Sequence, residues 1–288
     1  MLQLATWYCD KVKLYVFNVL MKIWITSESI KMSTITLLEK LYGEDEKQTL
    51  SFFTRLFESE SSNLNVRLEV LRKNDRNWIQ ISLSGEDAPV MVNYLHKKFG
   101  LAPLDFNEVH SSALLRGKVV SSGIVGYGLY VDIGISSPKH IDALIPLHKL
   151  RQQLAKNNQL SCREILNLYC LYDNFPLEAY VTQLNRDLQT IEAEFSEKQI
   201  SIFKEWIKLD LDRIIILGLT LDQVEKAVYK SGVQRDIAKI EELGLLEHML
   251  VCKLGTDARG LITRLGPLMS RLSLRIFDPK KVRSIMMG

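Results

Sequence analysis

The sequence predicts an α+β fold in three blocks, with a small β-barrel between two α/β domains. Three observations predict it. Residues 33–105 carry strand and helix periodicities in the order β-α-β-β-α. Residues 116–150, RGKVVSSGIVGYGLYVDIGISSPKHIDALIPLHKL, hold two apolar strands joined through Gly-Tyr-Gly, then a short third strand. Residues 197–288 return to alternating helical and strand patterns. A chain of 288 residues is long enough for several cores. With 47% hydrophobic and 25% charged residues it has the balance of a folded chain rather than a disordered one.

In the first block, Thr34 to Leu41 reads as a strand. Glu46 to Phe57 places Leu50, Phe53, Leu56 and Phe57 at helical spacing. Leu64, Val66, Leu68 and Val70 alternate with polar residues, Asn74-Asp75 marks a turn, and Trp78, Ile79, Ile81 and Leu83 continue as the partner strand. Ala88 to Phe99 is a second helix, stopped by Gly100. This order is that of a ferredoxin-like α/β domain, a scaffold that does not choose a function.

The middle block opens with the strand Gly117-Lys118-Val119-Val120. Gly126-Tyr127-Gly128 is expected to reverse the chain sharply, because glycine tolerates positive φ and close backbone approach. Period-2 alternation then turns Leu129, Val131 and Ile133 to the core and Tyr130 and Asp132 to the other face. Ala143 to Pro146 is a third strand and Ser161 to Tyr169 a helix. Leu177 to Leu184 and Thr190 to Phe195 complete a barrel.

On these residues the block resembles the S-one RNA-binding domain, an OB-fold repeat. The matching positions are Gly117, Val119, Tyr127, Gly128, Tyr130, Val131, Ile133, Leu144, Ile145 and Leu150. Ala143 stands where that family has glycine, Pro146 where it usually has histidine and His148 where it has serine. The resemblance implies an OB-fold barrel with an RNA face, and the lost histidine weakens the RNA contact more than the fold.

The third block is expected in the order β-α-α-β-α-β behind a leading helix, Ser196 to Leu209. Its strands are Arg213 to Leu217, His248 to Leu254 and Leu272 to Phe277. Its helices are Thr220 to Lys230, Gln234 to Leu243 and Asp257 to Met269. Thr220-Leu221-Asp222-Gln223 fits a capping box. The ending LGTDARGLITRLGPLMSRLSLRIFDPKKV, the LLEKLYG start and the central barrel together resemble an uncharacterised archaeal family bearing a domain-of-unknown-function label. That resemblance implies a non-secreted, RNA- or ribosome-related protein. The domains read from these patterns are 32–107, 108–196 and 197–288. Residues 1–31 precede a natural domain start at Met32, as a poorly ordered extension or an over-long start assignment. The apolar run Leu14 to Ile25 is shorter than the roughly 20 residues a spanning helix needs.

Cys9, Cys162, Cys170 and Cys252 form no C-x-x-C pair, so neither a zinc site nor a disulfide framework is expected, and buried thiols in a reducing cytoplasm are the plain reading. Net charge is +3, but residues 253–283 carry eight Lys and Arg against two Asp, and such a basic end suits a polyanion. The sequence holds no G-x-S-x-G elbow, H-E-x-x-H or P-loop, and no enzyme, cofactor or metal is expected. The expected function is RNA binding without chemistry, in the setting of a ribosome or RNA-processing assembly. Tyr127 and Tyr130 stack bases. Lys118, Lys149 and Arg151 on the barrel, with Arg259, Arg264, Arg271, Lys280 and Lys281 in the last block, meet phosphates. His148 stacks or hydrogen-bonds. Gly255 to Gly260 precedes a helix whose N-terminus could hold an anion, although a strand-to-helix turn capped by Asp257 explains it as well. The alternative function is a protein-protein adaptor whose barrel no longer binds RNA.

Overall fold

The computed structural model describes residues 33–43, 46–269 and 273–287. The expectations for residues 1–31 and for Arg271 lie outside them.

The first block forms β1 (Ser33–Lys40), α1 (Glu46–Glu60), β2 (Arg67–Lys73), β3 (Trp78–Ser84) and α2 (Ala88–Phe99). Its antiparallel sheet runs β1-β3-β2. On the open side of β1 a single antiparallel bridge, Leu37 to Leu101, stands where a fourth strand would pair. The helices bury the face that their spacing marks out. Phe53 and Phe57 lie stacked at 6.1 Å between ring centroids, and Phe99 meets Phe57 edge-on at 5.6 Å. Helix α2 stops at Gly100, which takes a φ of 81° and donates its N–H to the His96 carbonyl.

The middle block is a closed barrel of β4 (Leu114–Val120), β5 (Gly128–Ile135), β6 (Ile141–Pro146), β7 (Pro176–Asn185) and β8 (Thr190–Phe195), in the order β4-β5-β6-β8-β7. The β6–β8 pair is parallel and the other pairs are antiparallel. Two helices, α3 (Leu147–Leu154) and α4 (Cys162–Tyr169), lie between β6 and β7. Leu129, Val131 and Ile133 fill the interior, as period-2 alternation requires. The glycines around Tyr127 act differently from expectation. Neither Gly126 nor Gly128 has positive φ; the reversal uses Ser121 at 54° and Gly123 at 72°. Gly128 is needed for close approach, because a Cβ there would lie 2.6 Å from the Ile145 carbonyl oxygen.

The third block forms α5 (Glu197–Leu209), β9 (Arg213–Leu217), α6 (Leu221–Ser231), β10 (Ile237–Glu242), β11 (Glu247–Cys252), α7 (Ala258–Leu265), β12 (Ser273–Phe277) and α8 (Pro279–Met287). Its antiparallel sheet runs β10-β11-β9-β12. The helix expected over 234–243 is instead a short 3-10 turn followed by β10. The reason is a bulge. Ile237 faces Cys252 and Ile240 faces Leu250, with the extra residue absorbed between Ile237 and Lys239. An i, i+3 spacing that mimics a helix therefore puts both isoleucines on one face of a strand. Thr220 caps α6 through a capping box with Gln223. Thr220→Ala is expected to lower the unfolding free energy by about 1 kcal/mol, read as a fall in the urea midpoint at unchanged slope.

The run Arg-Ile-Ile-Ile-Leu of β9 is buried on both faces. Ile214 and Ile216 pack with Val224, Val228, Leu261 and Leu265 beneath α6 and α7. Ile215 and Leu217 join the barrel's own core cluster. Helix α5, read as the start of the third block, puts Phe203 and Trp206 into that cluster. Phe203 meets Phe195 at 5.9 Å and Tyr169 at 5.2 Å, and Trp206 meets Phe277 at 5.3 Å. One apolar core thus runs from the barrel through α5 to the third sheet. Among the described residues, no helix is long and apolar enough to cross a membrane.

Candidate nucleic-acid interface

Two environments divide the outward face of β5. At one end is Tyr130, with Tyr127 just before the strand. Their hydroxyls are 2.8 Å apart and their rings stand edge to face, with centroids 6.2 Å apart and planes at 85°. Tyr127 is 56% exposed and Tyr130 half-buried. The shared hydrogen bond, with burial and the Tyr127 and Asp142 charges, pushes the Tyr130 hydroxyl up to about 12. The hydrogen bond ties the exposed Tyr127 ring to Tyr130 in an edge-to-face pair. Ile124, in the preceding loop, is 77% exposed. His148 is exposed just beyond β6.

Two residues further along β5 the same face is closed. Asp132 is fully buried and accepts from Lys40 Nζ at 2.7 Å, Trp78 Nε1 at 3.1 Å and the Gly134 N–H at 3.0 Å. The Lys40 ammonium lies over the Trp78 ring at 4.6 Å. Arg76 pairs with Asp142 and sits 3.6 Å from Asp132. The N-terminal domain therefore docks on this half of the barrel through Lys40, Trp78 and Arg76, which meet Asp132 and Asp142.

Lys118 does not reach a phosphate. Its side chain is 2% exposed, and its ammonium donates to Glu39 at 2.9 Å and to Glu247 at 2.6 Å. Glu39 comes from the N-terminal domain and Glu247 from β11, so the three blocks meet at this amine. Tyr42 completes the cluster by donating to Glu247 at 2.5 Å. Burial draws the Lys118 ammonium down, but Glu247 and Glu39 outweigh it and hold it above its ordinary value. Burial raises Glu39, against the opposing pull of Lys118. Burial also raises Tyr42 well above its ordinary value, with Glu247 adding to it. Gly244 makes the cluster possible: a Cβ there would collide with a Glu247 carboxylate oxygen and stand 3.2 Å from Lys118 Nζ.

The other residues expected to meet phosphates divide. Lys149 is half-buried and donates to Glu194 at 2.7 Å. Arg151, also half-buried, donates through Nε to the Leu160 carbonyl at 2.8 Å. Both serve the barrel's own structure. Arg264 donates to the Ser231 and Gly232 carbonyls and closes the end of α6. Arg259, Lys280 and Lys281 are exposed. Asp257 caps α7 by accepting from the Arg259 and Gly260 N–H groups, so the Gly255–Gly260 turn uses its first donors internally. Of the residues expected to meet RNA, Tyr127, His148, Arg259, Lys280 and Lys281 are exposed and Lys118 is buried. Sequence reasoning missed the Lys118 cluster, whose partners stand 79 and 129 residues away.

Three family models match the chain in order: the DUF2110 N-terminal domain over residues 34–103, the DUF2110 central domain over 109–207 and the DUF2110 C-terminal domain over 211–275. The chain belongs to the DUF2110 family. The central DUF2110 match takes in most of α5, the helix whose Phe203 and Trp206 pack on the barrel. No curated protein matches the chain. Among solved structures, one similar chain comes from the crystal structure of the a/eIF2alpha-aDim2p-rRNA complex from Pyrococcus horikoshii OT3. The likeness has 14% identity and a TM-score of 0.23, and covers 43% of this chain. The match spans 64% of that other chain, just under two thirds. At that TM-score it carries no argument about the DUF2110 chain.

Proposed function

We propose that the protein binds single-stranded RNA, stacking one base on Tyr127, and performs no chemistry. The observation that carries this reading is the exposed Tyr127 ring, hydrogen-bonded to Tyr130 at the uncovered end of β5. We read the barrel as an OB-fold of the S-one kind, since its strand order has the third and fifth strands parallel. We read the N-terminal domain as ferredoxin-like with its fourth strand reduced to one bridge. OB-folds use such aromatic platforms, and base stacking contributes about 1–3 kcal/mol per base. Arg259, Lys280 and Lys281 bind phosphates on the last domain, in a cytoplasmic RNA-protein assembly.

Tyr127→Ala is expected to weaken binding of a single-stranded RNA about 5- to 150-fold, while Tyr127→Phe keeps most of it. Because Lys149 and Arg151 are engaged within the barrel, Tyr127→Ala leaves the salt dependence unchanged. Removing Arg259, Lys280 and Lys281 flattens the log–log salt slope by about 0.7 for each phosphate no longer neutralised. Fluorescence anisotropy with a labelled oligonucleotide at several salt concentrations reads both effects. Equal affinity of wild type and Tyr127→Ala sinks the stacking reading.

A second reading, a protein-protein adaptor, draws on a different surface. A groove of about 350 Å³ beside the edge strand β10 is lined by Val228, Tyr229, Ile237 and Ile240, with Tyr229 75% exposed. Absence of RNA binding at physiological salt favours the adaptor.

A further inference from the structure

We infer that the cleft where the three domains meet binds a phosphomonoester carried on an apolar or aromatic body, the chemistry shared by a mononucleotide and a 5′-phosphorylated RNA end. This inference does not depend on Tyr127. The cleft has a volume of about 300 Å³, at the small end of ligand sites, and is bounded by α2, β4, the start of β7 and α5. Four cations line it, Lys98, Arg116, Lys118 and Lys198, against two carboxylates, Glu39 and Glu178.

Two of these cations are already matched. Lys118 is held by Glu39 and Glu247. Lys98 is held by Glu60 at 2.5 Å. Arg116 and Lys198 are different. Both turn to the same oxygen of Glu178, at 3.6 Å and 3.5 Å, and Glu178 uses its other oxygen to accept from Ser196 Oγ at 2.8 Å. One carboxylate therefore faces two cations, neither at a good charge-assisted hydrogen-bond length. The local balance is one positive charge, with a guanidinium fork and an ammonium on the rim of a concave site. Such a pair suits a dianionic phosphate better than a carboxylate, because it offers several donors from two directions. Phe99, Pro176, Ile202 and Leu243 supply apolar wall for the body of the ligand.

The test is isothermal titration of the full chain with adenosine monophosphate, adenosine and inorganic phosphate. Adenosine monophosphate is expected to bind at least tenfold more tightly than adenosine or inorganic phosphate. The double variant Arg116→Ala/Lys198→Ala lowers that affinity at least tenfold. Glu178→Gln, which keeps an acceptor for Ser196 but removes the competing charge, raises it about threefold. Tyr127→Ala leaves it unchanged, which separates this site from the RNA platform. Arg116 and Lys198 are exposed, Glu178→Gln is close to isosteric, and an unchanged melting temperature shows that the variants fold. Competition by a 5′-phosphorylated oligonucleotide, but not by its unphosphorylated form, assigns the phosphate to an RNA end; failure of both to compete assigns it to a free small molecule. Equal binding of adenosine and adenosine monophosphate, or no effect of the double variant, overturns the inference.

Discussion

Replacing Lys118 with alanine lowers the unfolding free energy by about 3–5 kcal/mol, the range for removing one partner of a buried ion pair. The loss comes from what is left behind. Glu39 and Glu247 stay in a buried junction with no cation between them, and Gly244 leaves no room for relaxation on that side. One carboxyl must then take up a proton. Glu39 is the one poised to do so, because burial already raises it. The sign follows: a carboxyl whose folded value is raised stabilises the fold at low pH and loses that contribution as pH rises through the folded value. Lys118→Ala is therefore more damaging at pH 8 than at pH 5, as measured by urea unfolding at both. Adding both Glu39→Gln and Glu247→Gln to Lys118→Met recovers much of the loss, since a neutral set no longer strands a buried charge. A phosphate-binding lysine would behave in the opposite way, with RNA affinity falling and stability unmoved. A stability loss below about 1 kcal/mol would show that the junction tolerates an unpaired carboxylate.

Lys118 also marks where a single sequence stops being informative. Period-2 alternation places it correctly on the outer face of β4, and an outer face on an isolated barrel meets water. What covers that face depends on Glu39 and Glu247, which no local pattern connects to it. Tyr130 and Asp132 make the same point on one strand. They share a face, yet one flanks an exposed platform and the other is sealed beneath Lys40 and Trp78. Facing is a local property and is legible in the sequence; covering is a tertiary property and is not. The run RIIIL is the exception, because four consecutive apolar residues state burial on both faces. Strand β10 fails for the reverse reason: its bulge gives two isoleucines a helical spacing. That Tyr127 and Tyr130 lie side by side is legible because they are close in sequence, where local motif and local geometry coincide. Composition counts Arg264 and Arg259 alike, and both are exposed, but Arg264 donates to two backbone carbonyls at the end of α6.

Above pH 9 the protein loses several kcal/mol of stability, through buried groups. Burial pushes the Cys170 thiol up to about 12, against the opposing pull of Arg275 and Lys281, and it pushes the Cys252 thiol up to about 11. Burial also raises the Tyr169 hydroxyl, which donates to the Leu154 carbonyl within the core that joins barrel and α5. Lys118 and Tyr42 are raised at the three-domain junction. For each of these groups the folded state holds its proton more tightly than the unfolded chain does. The stability they confer is complete below the unfolded values, near 9.0 for the thiols and 10.0 for tyrosine, and is lost as pH rises through the folded values. Each group contributes a slope of up to about 1.4 kcal/mol per pH unit in its own window, so the thiols act first and the tyrosines and Lys118 follow. Urea midpoints measured between pH 7 and pH 11 should therefore stay level to about pH 9 and then fall. Cys170→Ala should flatten the first part of that fall, and Lys118→Met with Glu39→Gln and Glu247→Gln the later part. If the midpoint is constant to pH 11, thiols and junction alike reach solvent in the native state. Burial, which sets every one of these directions, would then not be the force that holds the three domains together.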